Sequence, residues 1–451
     1  MAEATAREQL ILELMNRARM DPAGEATRFG ISLNKDLAAG TISNAPKQVL
    51  AMNTELNGAA DAHSSWMLSA DRFSHTGLDG SDPGARMRDA GYVFAGSWSW
   101  GENIAWSGTT GTLNANAAAM QHHQNLFLSA GHRTNILNGY FREAGVGSLD
   151  GKFTSGSNTY NALMTTQNFA TSGNDRFVTG VAYDDSDNND FYSIGEARGG
   201  VAVDIIADGA VAASAVSGTA GGYAAAFTSS AKAPIAVDVR FRGGGLDAPV
   251  GASVTLEGSN VKLDLADGHT ILSNVTAALI YRAIGLQLIG IGDVDGTGNG
   301  FGNVLGGNAG GNRLAGLAGS DSLSGFGGVD ILLGGGGNDR IAGGLGGDRL
   351  TGNAGSDVFV FASASDITGD LITDFAPGID RIDLSGIDAV AGGRDTAFAF
   401  GGAGFAGAGS LRVMESGQRT LVQGDFDGNG IADFTLALAG IKTLTADDFI
   451  L

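Results

Sequence analysis

Oxygen-bearing side chains recur every nine residues in one stretch of the chain, from residue 298 to residue 360. Each follows a glycine-rich segment and precedes an apolar residue by two positions. In chain order they are Asn303, Asn312, Asp321, Asp330, Asp339, Asp348 and Asp357. If successive units stack, these side chains and the turn carbonyls form a cage of oxygen atoms, which a hard cation such as Ca²⁺ prefers. The spacing therefore predicts calcium binding, with weaker or absent sites at the two Asn copies.

The clearest copy is GGGGNDRIA, which begins at Gly334. Here we expect Gly334, Gly336 and Asn338 to join Asp339 around the cation. Such a unit is too short to bury a core alone, so its apolar residue must face inward on a strand of about three residues while glycines turn the corner. A flexible linker is the alternative, but linkers do not keep an apolar period. The repeat resembles the parallel β-roll of the RTX family of secreted bacterial proteins.

Two acidic loops lie outside the repeat. Residues 185–196 carry oxygen ligands with the spacing of a twelve-residue calcium loop, although Asp190 stands where such loops have glycine. Residues 425–433 keep this spacing, but Leu436 then falls at the last ligand position. The candidate ligands are Asp185, Asp187, Asn189 and Glu196 in the first loop and Asp425, Asp427, Asn429 and Asp433 in the second. The alternative for both is a solvated acidic loop.

Histidines cluster in the first third of the chain, where five of the six fall between residues 63 and 132. Imidazoles ligate Zn²⁺ and exchange protons near neutral pH, so this cluster is the best pointer to catalytic or metal chemistry. The chain has no HExxH motif and no cysteine, and no GxSxG stands at a strand-to-turn boundary. His63 shares a helical face with Ala59 and Met67, as a core histidine would.

Three motifs carry a family resemblance: FSHTG with His75, GENIA with Glu102, and GHRTNIL with His132, followed by FREAGVG. In this order they resemble the bacterial branch of the CAP superfamily, the cysteine-rich secretory and pathogenesis-related proteins. The resemblance implies an α/β/α sandwich with a cleft lined by His75, Glu102 and His132. A fourth cleft position is usually a Glu on the preceding helix, and here His123 is the closest candidate.

Two imidazoles and one carboxylate would form an incomplete coordination shell for Zn²⁺, with an open position for water or substrate. Because family members differ in chemistry, the resemblance locates a cleft without naming a reaction. One hypothesis is a binding module whose cleft takes a ligand or protein partner. The other is a secreted metal-dependent hydrolase, such as a peptidase. The missing peptidase motifs favour the binding module.

Apolar spacing and stop signals predict several elements in this region. The predicted helices run near residues 5–20, 54–70, 83–90 and 113–128, and the predicted strands near 143–149 and 162–170.

Charge is distributed unevenly along the 451 residues. Residues 1–170 contain 15 acidic and 12 basic side chains, whereas residues 171–451 contain 33 acidic and 15 basic ones. The acidity of the second part disfavours nucleic acid as a partner and favours divalent cations.

The N-terminus lacks the basic segment of a signal peptide, and we expect no transmembrane segment. The RTX resemblance implies another route, export through a type I, ABC-transporter machinery that reads an uncleaved C-terminal signal. The ending DDFIL is similar to endings in that group.

We therefore predict four segments in an extracellular protein. They are a CAP-like α/β/α sandwich over residues 1–171, a β-sandwich module with a possible calcium loop over 172–270, a parallel β-roll over 271–360, and a C-terminal β cap with the secretion signal over 361–451. The last segment resembles the region that follows the roll in serralysin-type proteins. Calcium is the predicted cofactor, with zinc a further candidate in the CAP-like cleft, and calcium-driven folding after export is the predicted mechanism.

Overall fold

The computed structural model describes residues 3–228, 234–390 and 396–451. The chain divides into two compact units, residues 1–272 and residues 273–451. The fold is mostly β, as the sequence predicts. Within the described residues, no helix is long and apolar enough to span a membrane.

The first part of unit 1 is a four-stranded sheet with helices on both faces. The helices are α1 (Ala6–Met20), α2 (Pro22–Arg28), α3 (Thr54–Ser69), α4 (Pro83–Asp89), α5 (Ala115–Leu128) and α6 (Ala130–Ile136). The strands are β1 (Ala51–Met52), β2 (Ser99–Thr109), β3 (Glu143–Ser155) and β4 (Asn158–Thr171), in the spatial order β1-β3-β4-β2. The four predicted helices are present close to their predicted bounds, whereas β2 and α6 were not predicted.

Successive residues of β3 face opposite sides of the sheet, and each side packs against helices. Val146 packs in the core with Met15 of α1 and Phe127 of α5. Glycines take the next positions, and a Cβ on Gly145 would lie 2.0 Å from the backbone of Leu56 in α3. The absence of a side chain at Gly145 therefore lets α3 pack directly on the sheet.

Asp61 of α3 lies beside the buried Glu8 of α1, and burial together with this second carboxylate raises the pKa of Asp61 to about 7. An acid whose folded-state pKa exceeds its unfolded value destabilises the fold as pH rises through that window. We expect Asp61→Asn to stabilise unit 1 by about 1 kcal/mol at pH 8 and to have no effect near pH 4.

Thermal unfolding at the two pH values measures this effect. The exposed Asp247→Asn serves as the control, and equal stabilisation by Asp61→Asn at pH 4 and pH 8 would contradict the assignment.

The rest of unit 1 is built of strands. They are β5 (Arg176–Tyr183), β6 (Val201–Ala207), β7 (Ala210–Val216), β8 (Gly222–Phe227), β9 (Ile235–Gly243), β10 (Val250–Leu256), β11 (Val261–Ala266) and β12 (Thr270–Ser273), the last of which runs across the unit boundary. Strands β7, β6, β9 and β10 pair antiparallel, and β5 pairs with β8 and with β11.

Asn260, the residue immediately before β11, is bonded to the four-stranded part of unit 1. The Asn260 side chain donates to the carbonyls of Val49, at 2.9 Å, and of Arg142, at 2.7 Å. Residues 1–171 and 172–270 thus lie within one compact unit.

Unit 2 is a parallel β-roll followed by antiparallel strands. Its strands are β13 (Ala277–Tyr281), β14 (Gly285–Leu288), β15 (Gly296–Thr297), β16 (Val304–Gly306), β17 (Arg313–Ala318), β18 (Ser322–Ser324), β19 (Ile331–Gly336), β20 (Arg340–Ala342), β21 (Arg349–Ala354), β22 (Val358–Val360), β23 (Leu371–Ile372), β24 (Arg381–Asp383), β25 (Ala399–Phe400), β26 (Ser410–Ser416), β27 (Arg419–Asp425), β28 (Phe434–Ala439) and β29 (Phe449–Ile450).

Each roll strand pairs with the strand two repeat units further on, so apolar residues stack in register. Leu323 pairs with Ile341, and Leu332 pairs with Leu350. These four side chains are at most 1 % exposed. The predicted three-residue strands form one side of the roll, but β17, β19 and β21 on the other side extend to six residues because pairing continues into the glycine segment.

Candidate functional site

The repeated aspartates form two ladders of hydrogen bonds inside the roll. In one ladder, Asp339 Oδ1 accepts from the backbone N–H of Asp321 at 2.8 Å, and Asp357 Oδ1 accepts from that of Asp339 at 2.9 Å. In the other, Asp348 Oδ1 accepts from the N–H of Asp330 at 2.8 Å. Stacking of units eighteen residues apart therefore fixes one oxygen of each carboxylate.

The second oxygen of each carboxylate has no hydrogen-bond donor in the described residues, although it is buried. This holds for Oδ2 of Asp321, Asp330, Asp339, Asp348, Asp357 and Asp370. Burial raises the pKa of Asp330 to about 7 and that of Asp357 to about 6. A buried carboxylate oxygen without a partner is costly, so each one requires a proton or a cation.

Glycine leaves room for that cation. A Cβ on Gly334 would lie 2.2 Å from Asp339 Oδ2 and 2.8 Å from the carbonyl oxygen of Gly352. Carboxylate and carbonyl oxygens thus converge at the bare face of the glycine, and this donor set fits Ca²⁺.

Two of the predicted companions of Asp339, Gly336 and Asn338, accept backbone hydrogen bonds from neighbouring repeats. The carbonyl of Gly336 accepts from the N–H of Gly319 at 2.8 Å. Asn338 is exposed, and its side-chain oxygen accepts from the N–H of Ser356 at 2.9 Å.

The repeats with asparagine differ from those with aspartate because the Asn side chain donates a hydrogen bond. Asn312 Nδ2 donates to the carbonyl of Val294 at 2.7 Å, and Asn303 Nδ2 donates to Asn299 Oδ1 at 3.2 Å. An amide can close the turn by donating where a carboxylate cannot. This geometry supports the prediction of weaker or absent cation sites at these two positions.

The ladders continue beyond the repeat through two residues that sequence reasoning did not assign as ligands. Asp370 Oδ1 accepts from the N–H of Asp348 at 2.8 Å, and Asp380 Oδ1 accepts from that of Asp357 at 3.0 Å. The spacing grows to 22 and 23 residues, which breaks the period. A usable signal was the apolar residue two positions after each aspartate, Ile372 and Ile382.

The two acidic loops do bring carboxylates together. Asp185, Asp187 and Glu196 form one cluster, and Asp425, Asp427 and Asp433 form another, with ligand atoms within 4.8 Å of one another. In both loops the asparagine side chain bonds the backbone two residues further on. Asn189 Oδ1 accepts from the N–H of Phe191, and Asn429 Oδ1 accepts from the N–H of Ile431, each at 2.7 Å.

Glu102 of β2 is the centre of the histidine site. One carboxylate oxygen lies 2.8 Å from His75 Nδ1, and the other accepts from Arg86 of α4. Arg86 also donates to the carbonyls of His75 and Ser81, at 3.0 and 2.9 Å. Sequence reasoning missed Arg86 because its partners come from other elements.

This arrangement assigns distinct roles to His75 and Glu102. An ionised carboxylate only accepts hydrogen bonds, so His75 Nδ1 carries the proton and Nε2 carries a lone pair. The His75 side chain is 52 % exposed, whereas that of Glu102 is 2 % exposed. His75 can therefore act as a base or ligand towards solvent, with Glu102 as the group that orients it.

A zinc site built from all three predicted residues is not supported. Both oxygens of Glu102 already accept hydrogen bonds from His75 and Arg86. Burial, and secondarily the nearby His75, lower the pKa of His132. Among the described residues, His75, Glu102 and His132 do not form a cluster of metal-ligating side chains.

His123 lies away from His75 and Glu102. Its Nε2 is 2.8 Å from Glu25 Oε1, and both side chains are 1 % exposed. The ring packs against Phe29 and Phe127 in the core between α5 and α1. Along β2, Ile104, on the Glu102 side of the strand, packs on Met67 of α3 instead. The structure therefore does not bring His123 into the cleft.

Two family models match separate parts of the chain. Residues 12–169 match the family model of the Cysteine-rich secretory protein family, CAP, and residues 312–451 match that of the Peptidase M10 serralysin C terminal. The chain thus carries a CAP domain followed by a serralysin-type C-terminal domain, which confirms the family resemblance found in the sequence. No curated protein matches the chain.

Solved structures with similarity to parts of the chain come from both groups. One is an extracellular protein containing a SCP domain from Bacillus anthracis str. Ames, with 22% identity over 38% of this chain and 44% of that chain, and a TM-score of 0.23. The others are the AlgE6R3 and AlgE6R2 subunits of the Azotobacter vinelandii mannuronan C5-epimerase, with 29% and 27% identity. They cover 33% and 35% of this chain and 78% and 92% of those chains, with TM-scores of 0.18 and 0.20. The chain spans less than half the length of the SCP-domain protein.

Proposed function

We propose that this is a secreted, calcium-binding multidomain protein in which Ca²⁺ drives folding of the roll after type I export. Six buried carboxylate oxygens without hydrogen-bond donors carry the proposal. Calcium is scarce in cytoplasm and abundant outside cells, so the roll would remain unfolded until export is complete. The serralysin-type C-terminal domain supports the ABC-transporter route. Residues 361–451 would serve as the cap and carry the export signal, and residues 172–270 would form a β-sandwich module.

Equilibrium dialysis of the full chain against ⁴⁵Ca²⁺ tests the binding step. Asp330→Asn and Asp339→Asn should each lower the bound calcium, whereas Glu415→Ala, an exposed acid of β26, should not. Unchanged stoichiometry in both ladder variants would refute calcium binding by the ladders.

For the CAP-like domain, we propose that the cleft at His75 and Glu102 binds a ligand or protein partner. The buried Glu102 is neutralised by Arg86, which leaves the exposed His75 as the polar group available to a bound molecule. The two acidic loops, residues 185–196 and 425–433, are proposed as additional calcium sites in their own modules.

The second candidate function is a secreted hydrolase, such as a peptidase, and the Glu102–His75 contact favours it. A histidine whose Nδ1–H is held by a carboxylate can take a proton from water at Nε2. We expect any turnover of peptide or ester substrates to fall at least about a hundredfold in His75→Gln, since general-base catalysis contributes about that much.

His269→Gln is the matched control because His269 is an exposed histidine on another part of unit 1. Absence of turnover in the wild type, or turnover that survives His75→Gln, would leave the cleft as a binding site.

A further inference from the structure

A groove of about 670 Å³ opens between α3 and α4, next to Arg86. This volume is in the range of sites that enclose a small molecule. Arg86 links the groove to the proposed binding cleft, because its guanidinium bonds both Glu102 and the carbonyl of His75. A molecule in the groove would therefore lie beside the group that holds Glu102.

The wall on α3 is apolar and has space for a ligand. The exposed Ala62 presents a methyl group, the buried Ala59 lies behind the wall, and the Trp66 ring follows one turn after Ala62. Trp66 stacks on His63 with ring centroids 5.4 Å apart and planes 16° apart. Leu78, which is 65 % exposed, borders the mouth. These surfaces suit an apolar body.

The charge of the groove is negative. Asp79 and Asp89 line its rim, and both are exposed. In the described part of the chain, neither takes part in a salt bridge. Two exposed carboxylates at the opening attract a cation.

The basic side chains near the groove either contact other groups or are uncharged. Arg86 pairs with Glu102. Arg88, the other basic residue of α4, stacks on Phe94 with its guanidinium 4.9 Å from the ring centroid. Burial lowers the pKa of His63, whose Nε2 lies 2.9 Å from the carbonyl of Ser74, so this ring stays neutral near pH 7.

We propose that this groove binds an amphipathic ammonium compound. Its apolar body would lie on Ala62 and Trp66, and its positive head would lie near Asp79 and Asp89. Ammonium groups are also attracted to the face of an indole ring. The inference rests on the proposed ligand-binding role of the CAP-like domain and specifies the class of ligand.

Calorimetric titration of the full chain with calcium present tests the proposal. The probes are decyltrimethylammonium, decanoate and the uncharged octyl glucoside, all below their micelle concentrations and at physiological ionic strength. We expect one-to-one binding of decyltrimethylammonium, at least about tenfold tighter than that of decanoate, which corresponds to about 1.4 kcal/mol.

Variants separate the groove from general attraction to an acidic protein. Ala62→Trp places a large side chain on an exposed position of α3 and should abolish the one-to-one site. The double variant Asp79→Asn/Asp89→Asn should weaken it at least about fivefold, because it removes both rim charges. Asp247→Asn should leave it unchanged. Circular dichroism and thermal unfolding establish that each variant is folded.

Each outcome has a definite consequence. If octyl glucoside or decanoate binds as tightly and Ala62→Trp still abolishes binding, the charge assignment is wrong while a ligand-binding cleft survives. If no probe shows binding that depends on Ala62, the groove proposal itself is overturned. The role of His75 is judged separately, by the turnover experiment.

Discussion

Removing calcium with a chelator is expected to unfold residues 273–451 while the four-stranded sheet of unit 1 remains folded. The roll buries five repeat aspartates and Asp370, each with one oxygen that has no donor in the described residues. Without cations these carboxylates must be desolvated beside one another. One site contributes about 2.7 kcal/mol when Ca²⁺ is a hundredfold above its dissociation constant. Several such sites together would match the roughly 5–15 kcal/mol by which a typical domain is stable.

Circular dichroism and hydrogen exchange, followed as calcium is added back, measure this transition. The expected result is a cooperative gain of β structure and of amide protection in β16 to β22. Strong protection of these strands in the presence of chelator would contradict calcium-driven folding.

Two substitutions at Asp339 refine the test. Asp339→Ala removes the ladder bond to Asp321 and one cation ligand, so it should weaken calcium-induced folding markedly. Asp339→Asn can imitate the metal-free closure at Asn312, so it should lose calcium binding there yet destabilise the chelated protein less. Glu415→Ala is the control, and identical behaviour of the two Asp339 variants would argue against the amide closure.

Replacing Lys262 of β11 by alanine is expected to destabilise unit 1 by about 3–5 kcal/mol, the usual cost of leaving buried charges unpaired. Lys262 Nζ lies 2.5 Å from Glu13 of α1 and 2.6 Å from Asp264, and all three residues are at most 4 % exposed. Burial raises the pKa of Asp264 to about 6, although Lys262 opposes that rise. Loss of the ammonium group leaves two buried carboxylates facing one another.

Chemical denaturation of the full chain measures this cost, with Lys35→Ala as an exposed control. The triple variant Lys262→Met/Glu13→Gln/Asp264→Asn should recover much of the lost stability, because it removes the charges together. A loss below about 1 kcal/mol in Lys262→Ala, as for a surface pair, would show that the cluster is solvated.

The contact between Lys262 and Glu13 explains why residues 1–171 and 172–272 belong to one compact unit. Glu13 and Lys262 are 249 positions apart in the sequence, and the bonds from Asn260 to Val49 and Arg142 span 211 and 118 positions. We therefore expect residues 1–272 to unfold in a single transition. No local pattern in the sequence could reveal this, since each partner reads as an ordinary charged or amide residue of its own element.

The sequence by itself determined what repeats locally. The nine-residue period predicted the stacked Leu323 and Ile341 and the row of aspartates, because a parallel roll imposes the same environment at each repeat. Motifs in fixed order identified the CAP and serralysin-type regions. Apolar spacing placed the long helices, since helix burial follows a short-range periodicity.

Tertiary structure alone decided which side chains meet. In the folded chain, Glu102 contacts Arg86 and His75, and His123 pairs with Glu25 in the core. The hydrogen-bond ladders continue to Asp370 and Asp380 after the nine-residue period ends. The physical reason is that hydrogen bonds and ion pairs require approach within about 3 Å. Such approach depends on how separate elements pack, which the spacing of residues along one element does not specify.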